Sequence, residues 1–108
     1  MNPRQLVTVR RVREHRRDQV RLVLAQLLAE HSSIGGRIEQ TQAEQLALLA
    51  ELRAASALGK IDVDRMVAAR YHIGRLSIEI ARLTASREAS ARHLQAARQA
   101  FHPRPEEK

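Results

Sequence analysis

The apolar residues of this chain of 108 fall into two heptad ladders, and the stretch from Leu6 to Phe101 that holds them contains no proline. In the first ladder Val20, Leu27, Ile34, Thr41 and Leu48 recur every seventh residue, with Leu24, His31, Ile38, Gln45 and Leu52 as a second row four places on. In the second, Met66, Ile73, Ile80, Arg87, Leu94 and Phe101 make one row, and Ala69, Leu76, Leu83, Ser90 and Ala97 make the other, three places on. Rows offset this way are the a and d positions of a coiled-coil seam. Two seams with one break between them, at Gly59, predict an all-α fold: a single antiparallel two-helix coiled-coil hairpin.

The boundaries follow from local chemistry. Residues 1–5 read as frayed, although Pro3 is compatible with a first helical turn. Helix one is expected over about 6–58. Gly59 can end it in the left-handed conformation that an L side chain resists. Asp62 is placed to cap the next helix by accepting a backbone N–H, and Asp64 favours its dipole. The loop is therefore 59–62, and helix two runs over about 63–101. His102-Pro103-Arg104-Pro105 stops it, and 102–108 reads as a disordered tail.

A short loop makes the helices antiparallel neighbours, so an a residue of one faces a d residue of the other. Pairs whose numbers add to 121 satisfy this: Leu52 with Ala69, Leu48 with Ile73, Ile38 with Leu83, Leu27 with Leu94, Leu24 with Ala97 and Val20 with Phe101. Their midpoint falls between Lys60 and Ile61, where the cap signals independently put the loop. The same register sets His31 opposite Ser90 and Ile34 opposite Arg87, beside Ser32-Ser33-Ile34-Gly35-Gly36. Each glycine costs about 1 kcal/mol relative to alanine in a helix, so this zone is expected to bend or fray, or else to be tolerated within a long helix. For His31, Gln45 and Arg87 the reading is that of polar seam residues that set register at a cost in stability.

Composition narrows the function. One Tyr, one Phe and no Trp leave a thin aliphatic seam as the only source of burial. With no cysteine, disulfides and thiolate metal sites are excluded. No secretory leader or membrane span is apparent, which points to a cytoplasmic protein. His15, His31, His72, His93 and His102 have no metal-ligand spacing, and no nucleophile–base pair or phosphate-binding loop is present. The expectation is a non-enzyme with no cofactor, no metal and no small-molecule substrate, since two packed helices offer no pocket for chemistry.

The formal charge of +7 comes from 19 basic residues against 12 acidic ones. It is concentrated at Arg4, Arg10, Arg11, Arg13, Arg16, Arg17 and Arg21, opposed locally by Glu14 and Asp18. One reading is a solvated helix face; the other is contact with an acidic protein, an anionic membrane or nucleic acid. Nucleic acid is disfavoured because the aromatic stackers of single-strand binders and the basic region of a parallel zipper are both missing.

The basic opening Leu6-Val7-Thr8-Val9-Arg10-Arg11-Val12-Arg13, the Gly59-Lys60-Ile61-Asp62 turn and the segment Ala68-Ala69-Arg70-Tyr71-His72-Ile73-Gly74-Arg75-Leu76 give the chain a further likeness. It resembles the small stalk component of flagellar type III export, the FliJ family, with its YscO-like relatives in virulence secretion. It departs from that pattern after helix two, where His102-Pro103-Arg104-Pro105 replaces a charged continuation. The resemblance implies a non-catalytic stalk, cytoplasmic and peripheral to the membrane export gate. It implies three partners: the export ATPase hexamer, the cytoplasmic domain of the export-gate membrane protein, and export chaperones. Arg10, Arg11, Arg13, Arg17 and Arg21 would face the ATPase ring, and Tyr71, His72 and Arg75 would meet the gate. A basic coiled coil associated with nucleic acid, or a peripheral membrane tether, is the alternative.

Overall fold

The computed structural model describes residues 2–59 and 62–101. They form two helices, α1 (Pro3–Ala57) and α2 (Val63–Phe101), packed as an antiparallel hairpin. Met1, the Lys60 and Ile61 half of the loop, and the tail 102–108 with its proline stop lie outside the described residues.

Helix α1 begins earlier than the seam alone indicates. The Asn2 side-chain oxygen accepts the Gln5 N–H at 2.9 Å, and the Gln5 side-chain oxygen accepts the Asn2 N–H at 3.2 Å. This reciprocal capping box satisfies two end groups at once, and Pro3 sits next to it at the position where its missing N–H costs nothing. Residues 3–5, expected to fray, are therefore helical. At the other end Leu58 N–H reaches the Ala54 carbonyl at 3.2 Å, Gly59 N–H reaches that of Ser56 at 3.1 Å, and Gly59 takes φ +69°. The helix ends at Ala57, one residue before the expected limit, because that tighter closing bond replaces the last α-helical one. Asp62 caps α2 as read: its Oδ1 accepts the N–H of Asp64 at 3.1 Å and of Arg65 at 3.3 Å.

The chain divides into two units. In the unit Ser32–Ala89, Ile34, Ile38 and Leu83 form the core, with Leu76 also buried. Ile38 and Leu83, paired by the register, are 4% and 3% exposed, the deepest positions in the seam. Gln45 settles the alignment. Its Nε2 donates to the Ile73 carbonyl at 3.2 Å and to Ser77 Oγ at 2.6 Å, so it lies between these two residues and opposite Leu76, where the register puts it. Thr41 and Thr84, which also interrupt the apolar face, turn their hydroxyls onto the Arg37 carbonyl at 2.7 Å and the Ile80 carbonyl at 2.8 Å. A polar group satisfied within its own helix removes most of the cost of sitting in a seam.

One expectation for this unit needs correction. Arg87 occupies a seam row but is exposed, so it is not a buried register residue. Burying a guanidinium opposite Ile34 with no carboxylate at hand would cost several kcal/mol, and the long side chain avoids this by reaching water. Gly35 and Gly36 are both inside α1, in line with the reading that a long helix tolerates them, and a methyl group added at either would meet nothing within 4 Å.

In the unit Met1–His31 with Ser90–Lys108, Leu94 and Ser90 are buried and Val20, Leu24, Leu27, His31 and Ala97 are half-buried. Burial in α1 stops at Val20. Every residue from 2 to 19 is exposed.

Candidate partner-binding surfaces

The heptad rows that bury Leu24 and Val20 continue without a phase break into residues 3–19, but there they carry different chemistry. Arg17 and Arg10 follow Leu24 in the a row, and Arg13 and Leu6 follow Val20 in the d row. Arg10, Arg13 and Arg17, spaced by three and four, thus share one face of α1, and Arg21 extends it from its flank. Arg11 lies about 100° round the helix and does not join them. All five are exposed, and among the described residues none pairs with a carboxylate. Leu6, Val7, Val9 and Val12 are also exposed, at 54%, 47%, 38% and 49%. The first turns of α1 are thus a cationic and apolar surface with no internal partner among the described residues.

The second surface lies on α2. Tyr71 is 70% exposed, so it is not the half-buried flank of the seam that its neighbours Ile73 and Leu76 could have made it. Arg75 follows it by one turn and is exposed. His72 points round toward α1, where its Nε2 is 3.8 Å from Glu44 Oε1. Of the three residues proposed as one strip, Tyr71 and Arg75 share a face and His72 sits at its edge.

Sequence reading missed the rest of this surface. Val67, Tyr71, Gly74 and Ile78 are spaced by four, three and four, the period of the seam itself, and all four are exposed, Ile78 at 71% and Val67 at 62%. They form a short second apolar stripe on the side of α2 turned away from α1. The signal was present in the spacing, but the stronger Leu/Ile ladder on the same helix obscured it. Arg70 and Arg75 flank the stripe. Glu79, at its edge, is committed elsewhere: it takes two hydrogen bonds from Arg82, at 2.6 and 3.0 Å, and lies 3.5 Å from Arg37 on α1. The Arg82 hydrogen bonds, aided by the charges of Arg82 and Arg37, hold the Glu79 carboxyl below the usual carboxylate range.

A groove of about 720 Å³ opens beside the loop, where Leu48, Leu52, Met66 and Ala69 meet Asp62 and Arg65. Its carboxylate nearest the loop, Asp62, is already used as a helix cap. Among the described residues no group of three or more His, Asp or Glu side chains could hold a metal ion. At the polar step in the seam, His31 Nδ1 and Ser90 Oγ are buried without a hydrogen-bond partner among the described residues. Also among these residues, no helix is long and apolar enough to cross a membrane. No family model matches the chain, and neither does any curated protein or solved structure.

Proposed function

We propose that the protein is a non-enzymatic coiled-coil stalk that engages a partner through the arginine-rich first turns of α1 and a second partner through the Tyr71 stripe of α2. The observation behind this reading is the full exposure of residues 2–19, in which Arg10, Arg13 and Arg17 sit on a continued seam. A chain that needed α1 only to close its own hairpin would gain nothing from helix there, because an isolated segment of this length is marginal in water.

In its specific form, which rests on the resemblance to export stalks, the first partner is an export ATPase hexamer. The second is the cytoplasmic domain of an export gate, and export chaperones are escorted between them at the cytoplasmic face of the membrane. Clustered charge suits the first contact because it steers and orients an end entering a ring. The exposed tyrosine with apolar neighbours suits the second, since aromatic anchors in an apolar patch are common centres of binding energy.

The test is to reverse Arg10, Arg11, Arg13 and Arg17 together and to measure pull-down and turnover of an export ATPase, beside a duplex-DNA titration at two salt concentrations. The reading predicts loss of ATPase binding and stimulation with helicity unchanged by circular dichroism. A wild-type chain that ignores the ATPase but binds DNA with steep salt dependence would replace the stalk reading with the nucleic-acid one.

A further inference from the structure

We infer that residues 3–20 of α1 are one half of a coiled coil whose other half is an acidic amphipathic helix of a partner protein. This rests on the reading of the basic end as a binding surface, but not on the partner being an export ATPase.

Continuity with an interface already formed is the first argument. Val20, Leu24 and Leu27 pack in the seam and Leu94 is buried with them, and the same a and d rows run on through Arg17, Arg13, Arg10 and Leu6 with every residue exposed. By the register that pairs Val20 with Phe101, the described part of α2 has no residue left to face them. Seam positions that repeat in phase but lack a facing helix are shaped for a helix.

The order of residue types on that face selects its chemistry. Leu6 comes first with Val9 at the edge, then Arg10, Arg13 and Arg17 with Arg16 at the edge, then Val20. The matching helix has apolar side chains at both ends and two or three carboxylates between them, facing the arginines. There each arginine stem packs along the seam while its fork takes a carboxylate in paired hydrogen bonds.

Other occupants fit less well. A bilayer would take Leu6 and Val9 into its apolar layer only by dragging Arg10 and Arg13 with them, because cationic and apolar groups share one face and do not oppose each other across the helix. Nucleic acid would use the arginines and have no place for the apolar tip. A second copy laid antiparallel would set arginine against arginine.

The experiment uses the full chain and three probes, followed by fluorescence anisotropy. One is a synthetic helical peptide of ~20 residues with leucines at the outer a and d positions and glutamates at the central ones. The second has the same composition with the glutamates moved to the outer face, and the third is duplex DNA. Binding of the first peptide is expected to exceed the second by about tenfold or more, and Arg13→Glu to remove that preference while Arg4→Glu, with the same charge change off the seam, costs less than about threefold. Leu6→Ser with Val9→Ser, which leaves the charge intact, is expected to weaken the first peptide by about tenfold and DNA not at all. Equal binding of the two peptides, or equal effects of Arg13→Glu and Arg4→Glu, would overturn the inference. The ATPase assay is read separately. Peptide discrimination without ATPase binding keeps the acidic-helix inference and removes the export reading, and ATPase binding without discrimination does the reverse.

Discussion

The two stretches of α1 on either side of Val20 share one heptad period and differ in almost everything else. From Val20 to Leu52 every a and d residue is at least half-buried, and two of its polar members, Thr41 and Gln45, find partners within the hairpin, Gln45 on Ile73 and Ser77. From residue 3 to 19 the same rows are exposed and hold arginine. Periodicity therefore decides that a surface is for packing, and side-chain chemistry decides against what. A leucine row closes on its own chain because burying it is favourable with any apolar neighbour. An arginine row has no such freedom, since burying it needs facing carboxylates and the described part of α2 offers none in register.

This contrast is broken most severely in the core. Leu83→Asp puts an unpaired carboxylate against Ile34 and Ile38 and is expected to cost roughly 3–5 kcal/mol, enough to unfold so thin a hairpin. Arg13→Glu should leave the thermal melt by circular dichroism within about 0.5 kcal/mol of wild type, as surface changes usually do. Comparable loss in both would mean that the arginine face is part of the fold.

Gln45 comes next. Gln45→Ala removes two bonds across the hairpin and is expected to destabilise by about 1–2 kcal/mol in chemical denaturation. Gln45→Leu should recover most of that through apolar packing, while allowing the helices to slip by a heptad, which cross-linking between engineered cysteines on the two arms would detect.

Glycine changes of opposite sign separate helix interior from turn. Gly36→Ala meets no atom within 4 Å and is expected to raise stability by about 0.5–1 kcal/mol. Gly59→Ala is expected to lower it by about 1 kcal/mol, because φ there is +69°. The same sign for both would contradict the assignment of one to a tolerated helix position and the other to the turn.

The smallest effect is electrostatic. Glu79 has a pKa lowered in the folded state by its Arg82 hydrogen bonds and the nearby arginine charges. Its contribution is therefore present above the unfolded carboxylate pKa and is lost as pH falls through the lower folded value. Both partners are well exposed, so the effect should be small and weaken in salt. Glu79→Gln is expected to lower stability slightly at neutral and basic pH, to flatten the acid side of the profile, and to match wild type below the folded carboxyl pKa.

Much of this architecture was legible in the chain. The seam rows, the pairing of Ile38 with Leu83, the left-handed Gly59 and the Asp62 cap all follow from spacing and turn chemistry, because each has one dominant local cause. What was hidden had two competing causes. The capping box of Asn2 and Gln5 lay next to a proline near the terminus, where fraying is the usual expectation. Arg87 fits the seam by position, and only the absence of a partner carboxylate sends it to water. The Val67, Tyr71, Gly74 and Ile78 stripe shares its helix with a stronger ladder, so the apolar count of α2 reads as one face when there are two. As for the candidate sites, the arginines and Tyr71 stand out in the sequence by charge and residue type, while the exposure of the rows before Val20 is visible only in the structure.

Amide hydrogen exchange along α1 tests the central claim directly, that one seam is closed by α2 up to Val20 and open beyond it. The expected result is strong protection around residues 34–48, with amides 7–19 exchanging at rates close to an isolated helix, and protection of 7–19 rising selectively when the acidic peptide is added. Protection at 7–19 equal to that at 34–48 in the free protein would contradict it.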